Sequence, residues 1–236
     1  AVTGGLSARA NVRGGVDDVQ QVKGIMVLAG KALARNQSAL SDLLWETLTS
    51  ARFDELPRLR ELVAQLRAHR EEGVTDHGHL LALAAATSSL SPVAALNHRW
   101  DGLAGLKQLK ALDDALDNPD ALAAFAQRLE RLRDRLQAAP RQLLVVSEAE
   151  RQDAIAEALA TCWRNGAALA EPFALNPPDA SPARLGFSVN TQVNFCAKAY
   201  PTVASNHPDA PALHVLGDFL RNGYLHRAIR EQGGAY

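Results

Sequence analysis

Apolar residues recur at helical spacing through most of the first half of the chain, whereas strict alternation with polar residues is confined to short stretches. Residues 1 to 15 carry glycines at positions 4, 5, 14 and 15 and alternate loosely, which predicts a short edge strand or hairpin. From Val16 the pattern turns helical, and Val22 to Phe53 keeps a helical face that includes Leu40, Leu43, Leu44 and Leu48. After Pro57 the pattern resumes with Leu59, Leu62, Val63 and Leu66. Thr75 and Asp76 precede a further Leu/Ala helix that ends near Ser91-Pro92.

A break falls at Asp117-Asn-Pro-Asp120, where Asn118 can cap a helix and Pro119 can occupy its first turn. That helix carries Leu122, Phe125, Leu129, Leu132 and Leu136 on one side and Arg128, Arg131, Arg133 and Arg135 around the rest. Beyond Pro140 the order is strand, helix, loop, strands, helix. Gln142 to Val146 is a short β-like run, Glu148 to Trp163 is helical, and Asn176 to Pro182 is a loop. Arg184 to Val189 and Thr191 to Tyr200 follow as strands, with Val193, Phe195, Ala197 and Ala199 expected to face inward. The expected fold class is α+β. A helix-rich unit over residues 1–116 and a linker helix over 117–140 lead into the first part of a second α+β unit over 141–236, with an antiparallel sheet and packed helices.

Composition narrows the function classes. The chain has 236 residues, 47% of them hydrophobic, and the Ala and Leu that dominate this fraction favour helices. With 25 basic and 26 acidic residues the net charge is −1, so no global field favours nucleic acid or an anionic membrane. No apolar run reaches the roughly 18 residues that a membrane helix needs. Ala1-Val-Thr-Gly-Gly lacks the basic start and apolar core of a signal peptide, and composition leaves the compartment open.

Individual residues supply few sites by themselves. Cys162 and Cys196 stand far apart with no Cys-x-x-Cys frame, and Cys196 is expected as a partly buried strand thiol. His77 and His79 form a His-x-His pair without a third ligand nearby, so metal binding is not expected there. Glu130 and Asp134 interleave with the arginines of residues 128 to 135, which marks a solvated face. Trp45, Trp100 and Trp163 lie in helical patterns and are expected in the core.

The last seventeen residues form the most specific stretch. An amphipathic helix runs into Asn222-Gly223, a short basic turn carries Arg227 and Arg230, and Gly233-Gly234 hands the chain to Tyr236. Paired glycines permit positive φ, so they can swing the tyrosine back beside Arg230. This wording resembles presequence-protease-like members of the insulinase family of inverted-zincin metallopeptidases, in their fourth domain. The resemblance continues upstream through Val193-Asn-Phe-Cys-Ala-Lys-Ala-Tyr-Pro-Thr-Val203 and His207 to Gly217. Thr3 to Leu6, Gly30 to Leu33 and Gly78-His79 extend it further.

The resemblance implies four related α/β domains in two bowls that close around an unfolded peptide, with zinc held in the first domain by an inverted His-x-x-Glu-His motif. None of His69, His77, His79, His98, His207, His214 and His226 stands in such a frame. The chain is therefore expected to come from the C-terminal half, with zinc bound by an N-terminal half that would be its partner. Arg230 and Tyr236 are the implied substrate-binding pair. Arg230 would donate to a peptide carbonyl, and the Tyr236 phenol to the oxyanion that forms during attack. Asn194 and Lys198, on the polar face of the 191–199 strand, are candidates to line the chamber. A non-catalytic helical scaffold that binds peptides or partner subunits is the alternative.

Overall fold

The computed structural model describes residues 3–18, 20–163, 175 and 184–235. The chain opens with an antiparallel hairpin of β1 (Leu6–Gly14) and β2 (Val22–Gly30), registered from Leu6 opposite Gly30 to Gly14 opposite Val22. The first strand meets the expectation of a hairpin in the opening residues. The second corrects it, because residues 22–30 were expected to start a helix. Val22, Ile25 and Val27 are β-branched, and Gly24 inside a helix would cost about 1 kcal/mol relative to Ala. Pairing with β1 satisfies the backbone of the segment instead.

A helical layer follows: α1 (Gln37–Thr49), α2 (Leu56–Asp76), α3 (Gly78–Thr87), α4 (Pro92–Trp100), α5 (Leu103–Ala115) and α6 (Pro119–Ala138). Its boundaries follow local chemistry. Ser91 Oγ accepts from Ala94 N–H at 3.1 Å and caps α4, whose first residue is Pro92. Asn118 Oδ1 accepts from the N–H groups of Asp120 and Ala121 at 2.8 and 3.3 Å, so Asn118-Pro119 starts α6 as expected. Helix α2 packs on α3, α5 and α6, α4 on α3, α5 and β1, and α6 also on α1. Val63, Ala85, Pro92, Leu96, Leu116 and Ala126 are buried in this layer.

Polar contacts tie α6 to the end of α1. Arg133 donates to Ala51 C=O at 2.8 Å, and the Gln137 amide to the carbonyls of Leu48 and Thr49 at 3.2 and 2.9 Å. The α2–α5 seam is ionic. Asp113, buried on α5, accepts from Arg60 and Arg67 of α2, with the Arg67 bond at 2.9 Å.

Helix α7 (Ala149–Cys162) brings Trp163 back to α1, where its indole N–H donates to the buried Ser41 hydroxyl at 3.0 Å. Its ring meets Trp45 edge to face, with centroids 5.2 Å apart. The half-buried Trp45 and Trp163 match their expected core placement, but Trp100 is 40% exposed at the end of α4. Residues 142–146, 184–189 and 191–199 were expected as strands. They run without ladder pairing, because no strand lies alongside them among the described residues. The described sheet thus lies in the front part of the chain, and the fold is α+β. The expected loop at 176–180 and 181–182 lies outside the described residues.

Helix α8 (Ala210–Leu220) continues without a break into a π-helical stretch, Arg221–Gln232. Asn222-Gly223, expected to interrupt the helix, therefore lies inside it. No helix among the described residues is long and apolar enough to cross a membrane.

Candidate functional site

The terminal helix presents Arg227 and Arg230 as exposed side chains in its closing turns. Gly234 then adopts φ +66°, a conformation that a Cβ disfavours, and Ala235 N–H returns to Ile229 C=O at 3.1 Å. The glycine turn expected after Arg230 is therefore built by Gly234, whereas Gly233 keeps φ −85°. Tyr236 lies outside the described residues. On the same helix, His226 Nδ1 stands 3.4 Å from a Glu231 carboxylate oxygen. Val215, Phe219 and Tyr224 are each about two-thirds exposed or more, at 71%, 70% and 67%. The helix thus carries its cations beside a broad apolar surface.

Asn194 and Lys198 lie on the extended segment 184–200, and both are exposed. Lys198 Nζ sits 4.9 Å over the Tyr200 ring, a cation–π contact that biases the ammonium toward its own strand. The expected in–out alternation of this segment fails. Thr191, Phe195 and Ala199 are partly covered, while Val193 and Ala197 are exposed. A strand in a sheet would bury every second residue against a flat layer. This segment instead meets the curved surface of the helical layer through isolated rings. Cys196, next to Phe195, points outward and is exposed rather than partly buried.

Two aromatic contacts hold the segment on the helices. The Phe187 ring lies edge to face with His98 of α4, at 5.9 Å and 66°. The Phe195 ring covers Gly78, the first residue of α3, so closely that a Cβ there would overlap the ring. Gly78 is buried, and the flanking His77 and His79 are exposed. His98 is itself buried, its Nδ1 has no hydrogen-bond partner, and burial pushes its pKa down. Sequence reasoning did not single out His98. Its only signal is its place on the inner face of the Leu96-Asn-His-Arg-Trp100 turn.

Two open hollows complete the surface. One, of about 430 Å³, lies beside β1 and includes Arg70, Arg99, Trp100 and Gln108. The other, of about 570 Å³, precedes α8 and includes Thr202, Ser205 and His214. Neither includes Arg230, Asn194 or Lys198. Among the described residues, no group of three or more His, Cys, Asp and Glu side chains could hold a metal ion.

Residues 1–112 match the family described as Peptidase M-16C associated. Over 99% of its length the chain is 27% identical to the mitochondrial presequence protease of Danio rerio and covers 25% of that protein. It is likewise 27% identical to the mitochondrial presequence protease of Drosophila melanogaster over 99% of the chain, covering 22% of that protein. The corresponding protein of Yarrowia lipolytica is 26% identical over 88% of the chain. The chain is a presequence-protease-like member of this peptidase family. It spans about a quarter of the length of the curated relatives it matches. For a chain of this family, exposed cations on a terminal helix and an extended segment clipped to a helical layer are the features best suited to contact an extended peptide.

Proposed function

We propose that this chain is the C-terminal, non-metal part of a zinc metalloendopeptidase that degrades unstructured peptides. The reading rests on the match to presequence proteases over 99% of the chain, which carries the terminal helix with it. In this reading residues 1–116 belong to the third domain, 117–140 form the linker helix and 141–236 begin the fourth domain. The chain closes over a peptide held by an N-terminal zinc-binding half, its partner.

Zinc, when bound by that half, activates water for attack on the peptide carbonyl. The residues of this chain do different work. Arg230 offers a planar fork of N–H donors that orients a substrate carbonyl, and exposure at the end of the helix leaves the guanidinium in reach of one. The phenol of Tyr236 donates to the developing oxyanion. Asn194 and Lys198 line the chamber and contact the peptide through an amide and an ammonium.

Cleavage of an internally quenched, unstructured peptide by this chain, by a separately made zinc half, and by the two mixed with zinc tests the proposal. Activity confined to the mixture is the expected result. An inactive mixture, despite demonstrated association of the two parts, would replace the peptidase reading with a peptide-binding scaffold.

A further inference from the structure

We propose that Gly78 and Phe195 form a latch that positions Asn194 and Lys198, an inference that rests on the reading of those two residues as chamber-lining. Gly78 and Phe195 lie far apart in sequence, yet the structure places one against the other.

The latch is a ring seated in a missing side chain. A Cβ on residue 78 would overlap Cδ2 and Cε2 of Phe195 and stand 2.8 Å from its Cγ. Nearby carbon atoms normally sit about 3.5–4.0 Å apart, so any side chain at 78 must expel the ring. Segment 184–200 has no ladder to hold its register. A ladder would resist sliding at every residue, whereas here the register depends on Phe187 against His98 and Phe195 in the Gly78 notch. Asn194 is the immediate neighbour of the seated ring and Lys198 lies three residues beyond it. Successive side chains of an extended chain point to opposite sides, so seating Phe195 inward turns Asn194 outward.

Helix propensity makes the test sharp, because it predicts the opposite sign. Ala is a better helix former than Gly, so Gly78→Ala should tighten α3 if the glycine has no steric role. The latch predicts that the same change loosens segment 184–200. Trypsin cleavage after the exposed Lys198 reports that loosening, because a protease must draw several residues of extended chain off the surface.

The expected result is cleavage after Lys198 at least about threefold faster in Gly78→Ala. In a Phe195→Leu background, Gly78→Ala should add far less, since the smaller side chain leaves room for the methyl group. Equal effects of Gly78→Ala in both backgrounds, or unchanged cleavage in the wild-type background, would overturn the latch. KM for the quenched peptide, measured on the full-length protein, separates the latch from the reading beneath it. If Asn194→Ala and Lys198→Ala raise KM, Gly78→Ala should raise it with kcat little changed; an unchanged KM in Gly78→Ala would overturn the positioning role. If neither Asn194→Ala nor Lys198→Ala moves KM, the chamber reading fails, and the positioning role with it, whatever the proteolysis shows.

Discussion

Arg67 of α2 donates to Asp113 of α5 at 2.9 Å, and Arg60, about two turns earlier on α2, donates to the other oxygen of the same buried carboxylate. One acid thus neutralises two guanidinium groups that would otherwise repel each other along α2. Asp114 and Asp117 contribute outer contacts, each at 2.7 Å. The neighbouring acids raise the pKa of both arginines, chiefly Asp117 for Arg60 and Asp113 for Arg67. Removing the central partner leaves two poorly compensated charges in the seam.

Asp113→Ala should therefore destabilise the fold by about 3 kcal/mol, within the range for breaking a buried ion pair. Asp114→Ala, at a carboxylate 71% exposed, should cost less than about 1 kcal/mol. Urea denaturation checks both, and equal costs would refute the central role of Asp113.

His98 gives the fold a pH dependence with a definite sign. Burial lowers its pKa in the folded state below the ordinary 6.5. The unfolded chain then binds the proton more readily than the folded chain in the window just below 6.5. Stability from this residue is complete above that value and falls as the pH drops through the window. His98→Gln should flatten the curve of stability against pH there. Glu71, whose pKa is lowered first by Lys110 and then by Arg67, loses its contribution only as the pH falls below its ordinary 4.5. Thermal unfolding between pH 5 and pH 7 would separate the two groups, and an unaltered slope in His98→Gln would exclude the histidine as its source.

The Trp163–Ser41 hydrogen bond should be measurable on its own. Ser41→Ala removes the acceptor for a partly buried indole N–H and should cost about 1 kcal/mol. The tryptophan emission should shift as the edge-to-face contact between Trp45 and Trp163 relaxes. An unchanged spectrum together with unchanged stability would mean that this contact does not hold α7 on α1.

For the terminal motif, Arg230→Ala and Tyr236→Phe in the complete enzyme should each lower kcat/KM by about 10²–10³, the usual effect of losing one oxyanion-hole donor. Secondary structure by circular dichroism should not change. Activity retained in both variants would remove these residues from their proposed roles.

Much of the helical layer was legible from local chemistry. Asn118-Pro119 and Ser91-Pro92 mark helix starts because capping and the fixed φ of proline act within a few residues. The α7 helix, the glycine turn after Arg230 and the pattern from Leu56 to Leu66 were visible for the same reason. Residues 22–30 were not, because a short apolar run suits either a helix or a strand until β1 supplies a partner. The inward and outward faces of residues 191–199 were also misread, since alternation presumes a flat sheet beneath.

The amino-acid sequence by itself determined the helical character, the caps, the near-zero net charge and the family-like wording of the terminal motif. These depend on composition, on contacts a few residues apart or on the order of residues alone. Only the tertiary structure decided that Phe195 seats on Gly78, that one aspartate on α5 serves two arginines on α2, and that His98 is buried with an unpartnered nitrogen. Such contacts join residues tens of positions apart, so their geometry exists only once close packing has brought the elements together.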